Sequence, residues 1–146
     1  MALCAPNHRV QQENALLESR TLSMSINRKW QEVYDAVWRP EDFPKWASGL
    51  SKSSLTKDGE TWKAEGPEGA VRILFTAHNA FGVMDHYVEA GNGTITYVPL
   101  RIIQNGDGAE VLLTLFRQMD MSDAKFAADA AWVKRDLLAL KALVTQ

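Results

Sequence analysis

With Cys4 as its one cysteine, the chain can form no internal disulfide framework. This fits a reducing compartment, and a cytoplasmic location is the default expectation. Lys and Arg together number 16 against 18 Asp and Glu, and they do not cluster, which argues against a nucleic-acid partner. Met1 to Ser19 contains no continuous apolar stretch of the kind a secretion signal or membrane span requires. A Gly-rich phosphate loop, a nucleophile elbow and zinc-type Cys/His spacing are all missing. The three histidines, His8, His78 and His86, fall in the leader and on different faces, so neither a metal nor a cofactor is expected.

What is present suits a soluble globular protein. Hydrophobic residues make up 46% and charged residues 23% of 146 positions, enough to bury one core. Residues 1–18 are polar and unevenly patterned and are expected to form a flexible leader, with only Leu16 and Leu17 able to dock. Residues 19–146 are expected to form one domain.

The end of the chain carries the clearest pattern. Phe126, Ala130, Val133, Leu137, Leu140 and Val144 recur at steps of three and four, one face of a long helix. Ser122 can cap it, and Asp123 suits the positive end of its dipole. Earlier, Arg20 to Ile26 alternates as a half-buried strand does. Asn27 can cap a helix from Arg28 to about Trp38 that Pro40 stops, with Trp30, Val33, Tyr34 and Val37 on one face. A second short helix is expected over Glu41 to Ala47, carrying Phe43 and Trp46 inward. From Gly49 the turn signals Asp58-Gly59, Gly66 to Gly69, Asn79 to Gly82, Gly91 to Gly93 and Asn105 to Gly108 mark off six strands. The linkers are too short for crossover helices, so neighbouring strands are antiparallel.

This order, β-α-α-β6-α, resembles the helix-grip fold of the START-like (SRPBCC) superfamily, with its polyketide cyclase/dehydrase-like, lipid-transport, Bet v 1-like and Hsp90-activator-like branches. The carrying residues are Trp30 to Asp35 (WQEVYD), Pro40 to Trp46 (PEDFPKW), Gly82 to Tyr87 (GVMDHY) and Asp136 to Lys141 (DLLALK). The resemblance spans about Ser19 to Val144. It implies an α+β domain whose six- to seven-stranded antiparallel sheet wraps the C-terminal helix around a cavity. It does not imply a fixed catalytic motif.

Hairpin parity then sorts the side chains. A four-residue loop at Asn79 to Gly82 pairs Phe75 with His86 and puts Val71, Ile73, Phe75, Ala77, Met84, His86 and Val88 on one face. Loops of two or four residues at the next turns extend that face to Ile95, Tyr97, Arg101, Ile103, Leu112, Thr114 and Phe116. On this parity the concave face offers His86, Tyr97, Arg101 and Thr114 as polar groups, and a bulge at Pro99 would invert part of it. Asp85 and His86, being adjacent, point to opposite faces, and Asp85 is expected in solvent or in a salt bridge. Arg101, if buried, needs an acid, and Glu110, Asp129 and Asp136 are within reach of it. Lys125, Asp129, Trp132, Asp136 and Leu143 form a second row on the last helix. The expected ligand-contacting set is Trp46, Phe75, His86, Tyr97, Arg101, Thr114, Phe116 and Trp132, with His86 the one weak catalytic candidate.

Three functions are consistent with this pattern. The first is binding or carriage of a small hydrophobic ligand between sheet and helix. In the second, an enzyme of the same branch uses His86 or an acid as general base. The third is an Hsp90-activator-like interaction module with no dedicated small ligand. On the same parity Val98, Leu100, Ile102, Val111, Leu113 and Leu115 point away from the helix. So large an apolar patch calls for a cover, from the N-terminal segment or from a second copy in a homodimer.

Overall fold

The structure is a computed structural model, and it describes residues 16–50 and 53–146. Residues 1–15 of the expected leader, with Cys4 and His8, lie outside the described residues. Leu16 is exposed and Leu17 half-buried, so of the two only Leu17 docks.

Strand β1 (Ser19–Ile26) is followed by helix α1 (Trp30–Val37) and two short 3-10 turns, Pro40–Lys45 and Ser48–Leu50. Seven strands come next: β2 (Thr56–Asp58), β3 (Thr61–Gly66), β4 (Gly69–Phe75), β5 (His86–Ala90), β6 (Ile95–Val98), β7 (Leu100–Asn105) and β8 (Gly108–Phe116). Helix α2 (Asp123–Val144) closes the chain. Two of these elements depart locally from expectation. Helix α1 begins at Trp30, after Lys29 and without a side-chain cap, so Asn27 is not its cap. The second helix is a 3-10 turn, consistent with prolines at both Pro40 and Pro44, yet it still buries Phe43 and Trp46.

All strand pairs are antiparallel, in the orders β1-β8-β7 and β2-β3-β4-β5-β6. The two sheets meet where Pro99 interrupts what the turn signals mark as one strand. Pro99 has no N–H to give a ladder, and the chain bends there, β6 pairing with β5 and β7 with β8. Residues 82–84 bridge the seam: Val83 pairs with Arg101, the Met84 N–H donates to Leu100 O (2.8 Å), and the Ile102 N–H donates to Gly82 O (2.9 Å). Among the described residues the strand count is therefore eight, one more than the β-α-α-β6-α order predicts, and the extra strand comes from this break.

Helix α2 lies across the sheet as its periodicity predicts. The Ser122 Oγ accepts from the Lys125 N–H (3.0 Å), and Phe126, Ala130, Leu137, Leu140 and Val144 are buried. Burying each leucine stabilises the fold by about 1.5–3 kcal/mol. Leu137, Leu140 and Val144 share one core with Leu100, Ile102, Val111 and Leu113. Four members of the apolar row expected to point outward thus form the heart of the protein, and the reason for a covering second copy disappears.

A three-residue loop explains the inversion. Phe75 pairs with His86 as expected, but His86 pairs with Val98 and Tyr87 with Tyr97. The β5–β6 connection is Gly91-Asn92-Gly93, closed by Ala90 N–H to Thr94 O and Gly93 N–H to Ala90 O (both 2.9 Å), with Gly93 at φ 86°. Three-residue hairpins need a left-handed third residue, which glycine supplies. An odd loop shifts the register by one residue, and a one-residue shift turns every later side chain to the other face.

Candidate functional site

Between β4, β5, the 3-10 turns and α2 lies a cavity of about 730 Å³, broadly open to solvent and mostly apolar in lining. The face laid out by the Phe75–His86 pairing supplies Val71, Ile73, Phe75, His86 and Val88. The turns after α1 contribute Phe43, Trp46 and Leu50, β8 contributes Leu113, and α2 contributes Lys125, Asp129, Trp132 and Asp136. Four of the five residues in the second row of α2 thus line the cavity.

At the aromatic end, Phe43 meets Trp46 (5.1 Å between ring centroids), Phe75 (4.6 Å) and His86 (5.6 Å, nearly perpendicular). His86 is only 9% exposed, and its Nδ1 lies 3.0 Å from Met84 O. A carbonyl can only accept, so Nδ1 carries the proton. Burial lowers the His86 pKa below the ordinary histidine value, against smaller upward pulls from the Met84 carbonyl and the Asp85 charge. The ring is therefore neutral near pH 7, with Nε2 as an acceptor.

Polar groups gather at the α2 side. The Lys125 ammonium holds Asp129 at 2.6 Å. Asp136 Oδ1 accepts from both the N–H (3.1 Å) and the hydroxyl (2.7 Å) of Ser48, whose oxygen in turn accepts from Trp132 Nε1–H. Burial raises the Asp136 pKa in spite of these bonds. One chain of hydrogen bonds thus ties the turn after Trp46 to the middle of α2.

Of the expected ligand-contacting set, Trp46, Phe75, His86 and Trp132 line this cavity, while Tyr97, Arg101, Thr114 and Phe116 do not. Those four come after the odd loop and face the other side of the sheet. There Tyr97 stacks on Phe116 (6.2 Å), Thr114 Oγ1 meets Thr21 Oγ1 (2.8 Å), and Arg101 is half-exposed. The partner of Arg101 is Asp85, through Nε to Oδ1 (3.0 Å) and Nη2 to Oδ2 (2.7 Å). None of the acids proposed for it takes part: Glu110 accepts from Ser25 and Asn105, Asp129 holds Lys125, and Asp136 holds Ser48. Asp85 also accepts from the Leu100 N–H (2.9 Å) and Tyr97 Oη (3.1 Å). Burial pushes its pKa up, but these bonds and the Arg101 charge outweigh that and hold it below the usual carboxylate value. Asp85 is salt-bridged and faces away from His86, as adjacency in a strand requires.

Phe43, Leu50, Val88 and the Lys125–Asp129 pair are lining residues absent from the expected set. Val88 already lies on the His86 face, and Lys125 and Asp129 lie on the Trp132 row, so face membership was the signal for them.

No family model matches the chain, and no curated protein matches it. Solved structures do. A putative uncharacterized protein from Bacillus thuringiensis aligns at 16% identity, covering 88% of this chain and 100% of its own, with a TM-score of 0.71. Ara h 8.0201 aligns at 10% identity over 89% and 99% of the two chains, with a TM-score of 0.64. The Aha1 dimer from Colwellia psychrerythraea aligns at 14% identity over 86% and 94%, with a TM-score of 0.64. The fold is the helix-grip. At these identities the helix-grip likeness speaks for architecture alone. Among the described residues no helix is long and apolar enough to cross a membrane.

Proposed function

We propose that this helix-grip protein binds a small, mostly apolar molecule between its sheet and closing helix, to carry it or to act on it. The carrying observation is the cavity itself: about 730 Å³ of mostly apolar space at the position the fold reserves for it, with aromatic rings at one end. Ligand sites of soluble proteins commonly span roughly 300–1,000 Å³ and combine an apolar lining with a few placed polar groups. An interaction module without a small ligand would call for the opposite arrangement, a filled interior and an apolar groove outside.

Carriage is the better supported half of this reading. A general base at His86 is chemically available, since its Nε2 is unprotonated, but Asp85 on the other face is hydrogen-bonded to Arg101 and does not orient the ring. Native mass spectrometry of protein purified from its host, with titration by the neutral dye Nile red, tests the reading. A co-purified small molecule or saturable one-to-one dye binding is expected, and Val88→Trp, which fills the cavity, should abolish either. Absence of both in a folded sample would overturn it.

A further inference from the structure

The charges lining the cavity do not balance. Among the described lining residues Glu68, Asp129 and Asp136 are acids, and Lys125 is the one cation. The Lys125 ammonium is taken up by Asp129 at 2.6 Å. Asp136 is half-buried, and both hydrogen bonds it accepts, from the N–H and the hydroxyl of Ser48, fall on Oδ1. Its Oδ2 has no hydrogen-bond partner among the described residues. That oxygen is still reached by solvent, since Trp46 Nε1 is the one described side-chain polar atom both sealed off and unmatched. Arg135, whose guanidinium lies 6.0 Å over the Trp132 ring, is not a lining residue, and it acts on Asp136 less than the Ser48 bonds do. A carboxylate drawn part-way out of water without a cation is costly, and an apolar ligand laid against it deepens the cost.

We propose that the cavity takes an amphipathic amine, its apolar body against Phe43 and Phe75 and its ammonium on the free oxygen of Asp136. The assignment rests on the cavity-binding reading above and gives it a substrate class. An ammonium brings both the donor and the charge that Asp136 lacks. Glu68, close enough to Lys125 to raise its pKa, adds to the negative field on the α2 side. A neutral alcohol can donate to the same oxygen but brings no charge. A carboxylate meets Asp136 and Glu68 while the lining cation is already paired, and it loses hydration with nothing in return.

Three probes with one skeleton separate these cases: 2-naphthylmethylamine, 2-naphthylmethanol and 2-naphthylacetate, titrated by calorimetry at pH 7. The amine, protonated there, should bind about tenfold more tightly than the alcohol, the effect of one charge-assisted hydrogen bond at a half-buried carboxylate. The carboxylate should bind more weakly than the alcohol. Added salt should narrow the gap between amine and carboxylate and leave the alcohol nearly unmoved, a readout in wild-type protein that needs no variant to fold. Asp136→Asn keeps an oxygen for Ser48 and should bring the amine down to the alcohol, whereas Glu68→Gln should weaken the amine only about twofold. An amine no tighter than the alcohol, a carboxylate as tight as the amine, or an amine preference that survives Asp136→Asn would overturn the assignment while the cavity reading stands. If neither the alcohol nor Nile red binds, the cavity reading itself fails and the assignment with it.

Discussion

At the scale of single residues, Asp85 shows how a charge can hold a backbone in place. Only 14% of its side chain is exposed, and it gathers Arg101, Tyr97 and the N–H of Leu100, the first residue after the Pro99 break. Asp85→Ala strands that N–H and releases the half-exposed guanidinium, and should cost about 2–3 kcal/mol. Arg101→Ala removes only an ion pair open to water on one side and should cost about 1 kcal/mol or less. Urea unfolding of the two variants checks the order, and equal losses would mean that the ion pair, not the backbone tie, holds the bend. The need of Arg101 for an acid was legible in the sequence, but the identity of that acid was not. Charge balance says that a partner exists, whereas register says which one, and the register here turns on one loop residue.

Among the elements, the hairpins carry both the success and the failure of sequence reasoning. The Phe75–His86 pairing follows from a loop placed at Asn79 to Gly82; the strands end earlier, at Phe75 and His86, and Val83 and Met84 turn instead to Arg101 and Leu100, yet the register is the expected one, so the β4–β5 wall of the cavity was legible in the sequence. Beyond Gly91 the parity fails, because loops of two, three and four residues leave similar glycine-rich signatures and only the odd one inverts a face. Gly93, which makes the three-residue loop possible, was visible; its left-handed φ was not. Two glycines separate backbone strain from collision. Gly93→Ala places a Cβ in open space at φ 86° and should cost about 1–2 kcal/mol, the strain alone. Gly82, at φ 70°, sits at the seam between the sheets, and a Cβ there would lie 2.2 Å from the Ile102 carbonyl oxygen. Gly82→Ala should therefore cost more than about 3 kcal/mol or prevent folding. Thermal denaturation of both variants checks the contrast, and similar losses would show that the seam can yield where the structure has it tight.

The whole molecule couples its stability to its cavity through His86. Folding buries the imidazole beside Phe43 and Phe75, so the unfolded chain holds a proton on it more readily than the folded one. Stability should then rise with pH from the depressed folded value up to about 6.5 and level off above it, since unfolding takes up protons only within that window. Asp136, also in the cavity wall, has the opposite sign. Its folded pKa lies above 3.8, so its share of stability falls as pH rises through the window just above that value. His86→Phe removes the first slope and leaves the second; Asp136→Asn does the reverse while keeping an oxygen for Ser48. Urea unfolding of both variants at a series of pH values checks the two signs, and a rise in stability just below about pH 6.5 that survives His86→Phe would mean that the imidazole is not its source.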